Sequence, residues 1–341
     1  MKGKRAALTA IASHLPEERR TNEMLAEEFS DWTAEKLTEK TGIEARRISE
    51  PDQFTSDLAI LAAERLFAQD PGHRDGIDFV LLVTVTPDYL SPGTSVLVQD
   101  KLGLPQSVGA LDVLWGCAGY PYALTLGAGL IESGRARKVL ILTADRLHTF
   151  VDEGEVGVKA LMGDAATASL LESVEEGEDA SRAIALLGAC SYGTDGSGAQ
   201  QLWLPTSGLR GFTGDEVREV SKPTMEMDGA AVFHFTLRVI PKYIRESLDE
   251  AGLTMEDVDL FVFHQANRFM LDHLRRRLKI PEERFVYYLA ESGNTACNTV
   301  PLALDHAIRE GRVKPGGRVF LVAFGTGWSW SSMLLEAPGS I

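Results

Sequence analysis

The sequence predicts an α/β protein assembled from two copies of one structural unit. Short runs of Val, Ile, Leu and Phe alternate with longer segments of helical spacing, the pattern of buried strands separated by helices. The order of elements and their turn residues then recur in the second half of the chain. Composition agrees: of 341 residues, 44% are hydrophobic and 24% charged, so a sizeable core can form.

The first strand is read over residues 5–12. Lys2, Lys4 and Arg5 ahead of an Ala-rich stretch superficially resemble a secretory signal, but Ser13-His14-Leu15-Pro16 cuts the apolar segment short. No run approaches the ~18 residues that span a bilayer, so no membrane association is expected. A helix over Ser56–Gln69 leads to the strand Phe79–Val85, and a strand at Ala110–Leu114 to a helix over Cys117–Ser133 and a further strand at Val139–Thr143. The second half repeats this with helices over Phe233–Ala251, Arg268–Leu278 and Thr295–Arg309 and strands at Leu260–Phe263, Phe285–Leu289 and Val319–Phe324. The punctuation matches too. Leu-Gly-Leu-Pro at 102–105 answers Leu-Lys-Ile-Pro at 278–281, and Glu-Ser-Gly at 132–134 answers Arg-Glu-Gly at 309–311. The acidic stretch 172–179 is the expected seam, giving halves of 1–172 and 173–341. Residues 193–223, rich in Gly, Ser and Thr, are too long for a simple connection and are candidates for a functional loop.

The charge excludes some functions. Thirty-four Lys and Arg against 49 Asp and Glu give a net charge of −15, opposite to the basic footprint of a nucleic-acid binder. Cys117, Cys190 and Cys297 form neither a C-x-x-C pair nor an even framework, which fits a reducing cytoplasm. The seven histidines show no metal-ligand spacing, and neither a P-loop nor a G-x-G-x-x-G fingerprint is present.

Cys117 follows an apolar strand through Trp115-Gly116 and opens a helix, where free amides and the helix dipole favour a thiolate. Its other reading is a small buried hydrophobe, the reading kept for Cys190 and Cys297. His264 ends a predicted strand and begins His-Gln-Ala-Asn, at the strand end where open α/β sheets place ligands; a structural, hydrogen-bonded His is the alternative. Asn294 occupies the second-half turn that corresponds to the Cys117 turn, as a site residue or a helix cap. Gly325-Thr326-Gly327 after the last apolar run is either a tight turn or a backbone that offers an amide to an oxyanion.

Taken together, Thr-Gly-Ile at 41–43, Cys-Ala-Gly-Tyr at 117–120, Met-Gly-Asp-Ala at 162–165, His-Gln-Ala-Asn at 264–267, Ser-Gly-Asn-Thr at 292–295 and Phe-Gly-Thr-Gly at 324–327 resemble the 3-oxoacyl-[acyl-carrier-protein] synthase III family over nearly the whole chain. The resemblance implies a layered αβαβα thiolase fold, a homodimer, and a triad of Cys117, His264 and Asn294. It implies that Cys117 takes an acyl group from acyl-coenzyme A. Malonyl-acyl carrier protein then loses carbon dioxide, while His264 and Asn294 stabilise the enolate and the amides of Cys117 and Thr326 form the oxyanion hole. No metal or redox cofactor is implied. Asn267, Phe233, Leu90 and Ser91 fall at substrate-contact positions, and Arg268, Arg276 and Arg277 where the acidic carrier protein docks. Arg275–Arg277 with Lys279 also reads simply as a solvated helix face.

Three departures bear on substrate choice. Lys36 stands where the family places a Trp against the coenzyme A adenine, with Trp32 four residues earlier; Phe269 stands where an Arg is usual; and Ser91, beside Leu90, replaces a bulky aromatic that closes the acyl pocket. The last implies room for a starter larger than acetyl, including a longer or aromatic acyl group from a specialised pathway that takes malonyl-coenzyme A. Acyl transfer to oxygen or nitrogen, and a noncatalytic subunit of a heteromer, are the competing functions.

Overall fold

The computed structural model describes residues 3–175, 180–208 and 223–339. Its strands are β1 Lys4–His14, β2 Glu18–Thr21, β3 Ala45–Ile48, β4 Phe79–Thr84, β5 Gly109–Leu114, β6 Lys138–Arg146, β7 Asp164–Glu175, β8 Ala185–Thr194, β9 Leu202–Trp203, β10 Glu226–Met227, β11 Leu260–Phe263, β12 Arg318–Gly325 and β13 Ser329–Glu336. Nine of them form one mixed sheet in the order β11-β12-β13-β8-β1-β7-β6-β4-β5. The halves meet between β1 and β8, which share only the pairs Ala7↔Leu186 and Leu8↔Ala185. β7 runs on to Glu175, past the division expected at 172, and residues 176–179 of the acidic seam lie outside the described residues.

Alternation along the strands builds the layers. In β4, Leu81 and Val83 face the two middle helices, Gly119–Glu132 and Thr299–Arg309, while Val80 and Leu82 face the outer helices Thr55–Gln69 and Thr94–Lys101. In β12, Val319, Leu321 and Ala323 turn inward; Phe320, Val322 and Phe324 pack under the outer helices Gly229–Glu250 and Arg268–Leu278. Covering both faces of each half-sheet requires continuous apolar strands, as the sequence has. The result is the expected αβαβα layering.

Helix Gly229–Glu250 starts ahead of the predicted Phe233, because Asp228 accepts the Ala231 amide and caps it. The expected strand Phe285–Leu289 is a larger departure. It makes one isolated parallel bridge, Phe261↔Phe285, where its counterpart β5 pairs with β4 along its length. The side chain of Gln265 takes over the ladder: its Nε2 donates to the carbonyls of Phe263 (2.6 Å) and Val286 (3.2 Å), and its Oε1 accepts the Tyr288 amide (2.8 Å). Of the long segment 193–223, residues 196–201 form a 3₁₀ turn, β9 pairs with β10, and 209–222 lie outside the described residues.

Candidate active site

The chain leaves β5 through Trp115 and Gly116, and Cys117 precedes the helix that begins at Gly119. The turn is held from the other half by Gly325 at the end of β12, where a Cβ would come within 2.7 Å of the Cys117 Cβ and 3.0 Å of its Sγ. Only a glycine admits this approach without moving the Cys117 side chain. The sulfur is buried, and burial together with the nearby charge of Asp145 pushes the thiol up to about 12, while the backbone amides of Cys117 and Thr326 pull the other way. The expected resting thiolate is therefore corrected. Desolvation outweighs the helix terminus, and the resting group is a thiol. The two amides expected to form the oxyanion hole are the ones that act on the sulfur.

His264 extends the ladder of β11 by donating its amide to Val322 O at 2.8 Å. Its ring meets the Phe324 ring edge-on at 5.5 Å, and its Nδ1 lies 2.6 Å from the Thr299 hydroxyl. Burial pushes the imidazole down to about 3, so it is neutral across the physiological range. The backbone of Asn294 is fixed by the other half, its amide donating to Leu161 O (2.8 Å) and its carbonyl accepting the Gly163 amide (3.0 Å), and its Oδ1 accepts the Ala296 amide of its own turn (3.0 Å). With Oδ1 engaged, the Nδ2 group is the donor left for a ligand. These contacts explain the Met-Gly-Asp-Ala and Ser-Gly-Asn-Thr motifs. A Cβ at Gly163 would sit 2.3 Å from Ser292 O, and Gly293 adopts φ +68° with its Cβ position 2.6 Å from Leu161 O.

Cys117, His264, Asn294, Asn267 and Thr326 line one cavity of about 120 Å³, with an apolar wall that includes Met162, Met225, Met227, Met270 and Val85. The three side chains that the sequence singled out from three separate segments thus converge. Asn267 spends its Oδ1 on the Met270 amide as the cap of helix Arg268–Leu278. Phe233 is not among the lining residues; it stacks on Phe269 at 5.3 Å. Leu90 lines a second cavity of about 490 Å³ that shares Val85 with the first, and Ser91 lines neither.

Thr-Gly-Ile seats the arginine helix, since Gly42, at φ +69°, would place a Cβ 2.1 Å from the Arg268 Cβ. Arg268 lies over the Tyr287 ring and pairs with Asp272 (3.3 Å) and Glu282 (3.7 Å), whereas Arg276 and Arg277 are exposed. Lys36 is exposed, and the Trp32 ring is covered by Lys40 at 4.5 Å. Cys297 is buried as expected; Cys190 is exposed, because it falls on the outward positions of β8.

Sequence reasoning missed Asp145. It is fully buried, accepts from Thr84 Oγ1 (3.0 Å), Val85 N (2.8 Å) and Cys297 Sγ (3.0 Å), and is pushed up to about 6 by burial. An ionisable residue closing an apolar run was the available signal. Among the described residues, no group of three or more His, Cys, Asp or Glu could hold a metal ion.

Residues 111–189, which carry Cys117, match the family 3-oxoacyl-[acyl-carrier-protein (ACP)] synthase III, and residues 248–337, which carry His264 and Asn294, match that family's C-terminal region. A β-ketoacyl-[acyl-carrier-protein] synthase III from Caldanaerobacter subterraneus is 36% identical, with 97% of each chain covered. The chain belongs to the 3-oxoacyl-[acyl-carrier-protein] synthase III family. Solved members agree. A 3-oxoacyl-(acyl-carrier-protein) synthase III superposes with a TM-score of 0.91 at 41% identity, covering 97% of this chain and 99% of that one. The priming β-ketosynthase of the R1128 polyketide pathway superposes with a TM-score of 0.88 at 30% identity, covering 99% and 98%. Family membership makes the chain an acyl-transferring condensing enzyme.

Proposed function

We propose that the chain joins an acyl-coenzyme A starter to malonyl-acyl carrier protein by decarboxylative Claisen condensation, the step that initiates fatty-acid synthesis. The observation that carries this reading is one cavity lined by the Cys117 thiol, the neutral imidazole of His264 and the side-chain amide of Asn294. The Cys117 thiol attacks the starter thioester, its proton leaves with the coenzyme A sulfur, and an acyl-cysteine remains. Malonyl thioester then loses carbon dioxide, and the electron pair of the broken C–C bond moves onto the thioester oxygen, where His264 and Asn294 donate. The carbanion attacks the acyl carbonyl, whose oxygen is held by the amides of Cys117 and Thr326. Collapse releases the 3-oxoacyl product, and the Cys117 sulfur takes up a proton. Every step balances with thioester chemistry alone. Acyl transfer to oxygen or nitrogen forms no enolate and would leave His264 and Asn294 without a task.

The Met- and Leu-lined wall, with a second cavity that shares Val85 as a lining residue, supports a starter larger than acetyl. Exposed Arg276 and Arg277, on a chain of net charge −15, support carrier-protein docking at that helix. The edge strand β5 exposes Leu111 and Leu114, with Leu90 also exposed, which supports a homodimer joined there. Among the described residues no helix is long and apolar enough to cross a membrane, and the three cysteines are free, in keeping with a cytoplasmic enzyme.

The test is a panel of acyl-coenzyme A donors from acetyl to long and aromatic chains, with the adduct located by peptide mass spectrometry before malonyl-acyl carrier protein or malonyl-coenzyme A is added. The expected result is an acyl group on Cys117 and a 3-oxoacyl product, with longer donors preferred over acetyl. Absence of any adduct on Cys117 contradicts the reaction, and equal or better turnover of acetyl contradicts the starter.

A further inference from the structure

Thr299 is buried, opens the middle helix Thr299–Arg309, and does not line the catalytic cavity. Its hydroxyl has a single proton and two acceptors within reach: Nδ1 of His264 at 2.6 Å and the Ala296 carbonyl at 3.0 Å. Two arrangements follow, and they place the imidazole proton on opposite nitrogens. If the hydroxyl donates to Ala296, Nδ1 must carry the proton and donate to Oγ1, which leaves Nε2 a bare acceptor. If the hydroxyl donates to Nδ1, the proton of the neutral ring sits on Nε2.

The surroundings favour the second arrangement. The Ala296 carbonyl already accepts the backbone amide of Thr299, so it does not require the hydroxyl. The contact to Nδ1 is the shorter of the two. Phe324 packs edge-on against the ring and helps hold it in place. The proposed condensation, on which this inference rests, also needs a donor and not an acceptor at the enolate oxygen.

We propose that Thr299 is a positioning residue whose hydroxyl donates to Nδ1 of His264 and thereby fixes the imidazole proton on Nε2, the nitrogen that serves the enolate. Its sequence signal is weak, since a Thr at the start of a helix has ordinary structural explanations.

The test compares Thr299→Val, which keeps the shape and removes the hydroxyl, with Thr299→Ser, which keeps the hydroxyl, in the full-length protein. Nitrogen-15 NMR of histidine-labelled protein reads the tautomer directly: His264 is expected to carry its proton on Nε2 in the wild type and the Ser variant, and to shift toward Nδ1 in the Val variant. Carbon dioxide release from malonyl thioester is expected to fall ~10²-fold in kcat in the Val variant with little change in KM, and by less than about threefold in the Ser variant. Acylation of Cys117 is expected to persist in both. Wild-type protein with the proton on Nδ1, or a folded Val variant that decarboxylates at the wild-type rate, overturns the proposal. The tautomer measurement on the wild type needs no turnover and no variant, so it tests Thr299 even if the condensation reading itself fails.

Discussion

The two halves of the molecule build the same strand-turn-helix unit and close it differently. In the first half, β5 pairs with β4 along its whole length, and only Trp115 to Ala118 separate it from the helix, which leaves Cys117 little freedom. In the second, the matching strand is reduced to one bridge, Gln265 supplies hydrogen bonds in its place, and the turn lengthens through Asn294 before the helix begins at Thr299. That longer turn reaches across to Leu161–Gly163, so the first half grips the Asn of the second. Duplication supplies two equivalent positions at one end of the molecule. Departure from symmetry puts Cys117 in one and Asn294 in the other, with His264 brought beside them from the end of β11.

Substituting the glycine where the halves touch should have the largest effect. Gly325→Ala places a methyl group against the Cys117 side chain, and acylation of Cys117 is expected to slow ~10²-fold or more, since displacements of about 1 Å carry that cost. Stopped-flow release of coenzyme A measures it. Wild-type acylation would show that the two turns are not in forced register.

Gln265→Leu tests whether a side chain truly replaces the missing ladder. The Phe263 and Val286 carbonyls and the Tyr288 amide lose their side-chain partner, and the expected loss is about 2–4 kcal/mol in denaturant unfolding. A change below about 0.5 kcal/mol would mean that Gln265 holds nothing that matters.

The smallest effect concerns His14 at the end of β1, whose ring nitrogens have no hydrogen-bond partner among the described residues and whose imidazole is pushed down to about 4, by burial first and Arg65 second. The unfolded chain binds a proton near pH 6.5 that the native state refuses until about 4. Native stability from this group is therefore complete above pH 6.5 and is lost as the pH falls toward 4. His264 has the same sign and is pushed to about 3; Asp145, pushed up to about 6, has the opposite sign. Comparing His14→Leu with wild type cancels both. The variant should unfold less readily at pH 4.5 by ~2 kcal/mol more than at pH 7.5, and an unchanged difference between the two pH values would contradict the assignment.

Much of this was legible in the sequence because it follows from periodicity and from turn residues that have few substitutes. The strands of β4, β6 and β12, the helix Arg268–Leu278, the duplication and the three converging side chains were all readable in that way. The reduced strand at Phe285 was not, because Phe-Val-Tyr-Tyr-Leu has strong strand propensity and nothing in it announces that a distant Gln will take over its pairing. The upward shift of the Cys117 thiol is not legible for a related reason: a helix start is visible in sequence, whereas the depth of burial and the charge of Asp145 arise only from packing. Phe233 and Ser91 miss the cavity because their positions depend on how helices and loops settle over it.

Scoring the two half-reactions separately decides whether labour is divided across the duplication. Cys117→Ala should lose the acyl adduct entirely and still release carbon dioxide from malonyl thioester. His264→Ala and Asn294→Ala should acquire the adduct and release carbon dioxide ~10²–10⁴-fold more slowly than wild type. If the His264 and Asn294 variants decarboxylate normally while failing to acylate Cys117, the roles assigned to the two halves are wrong.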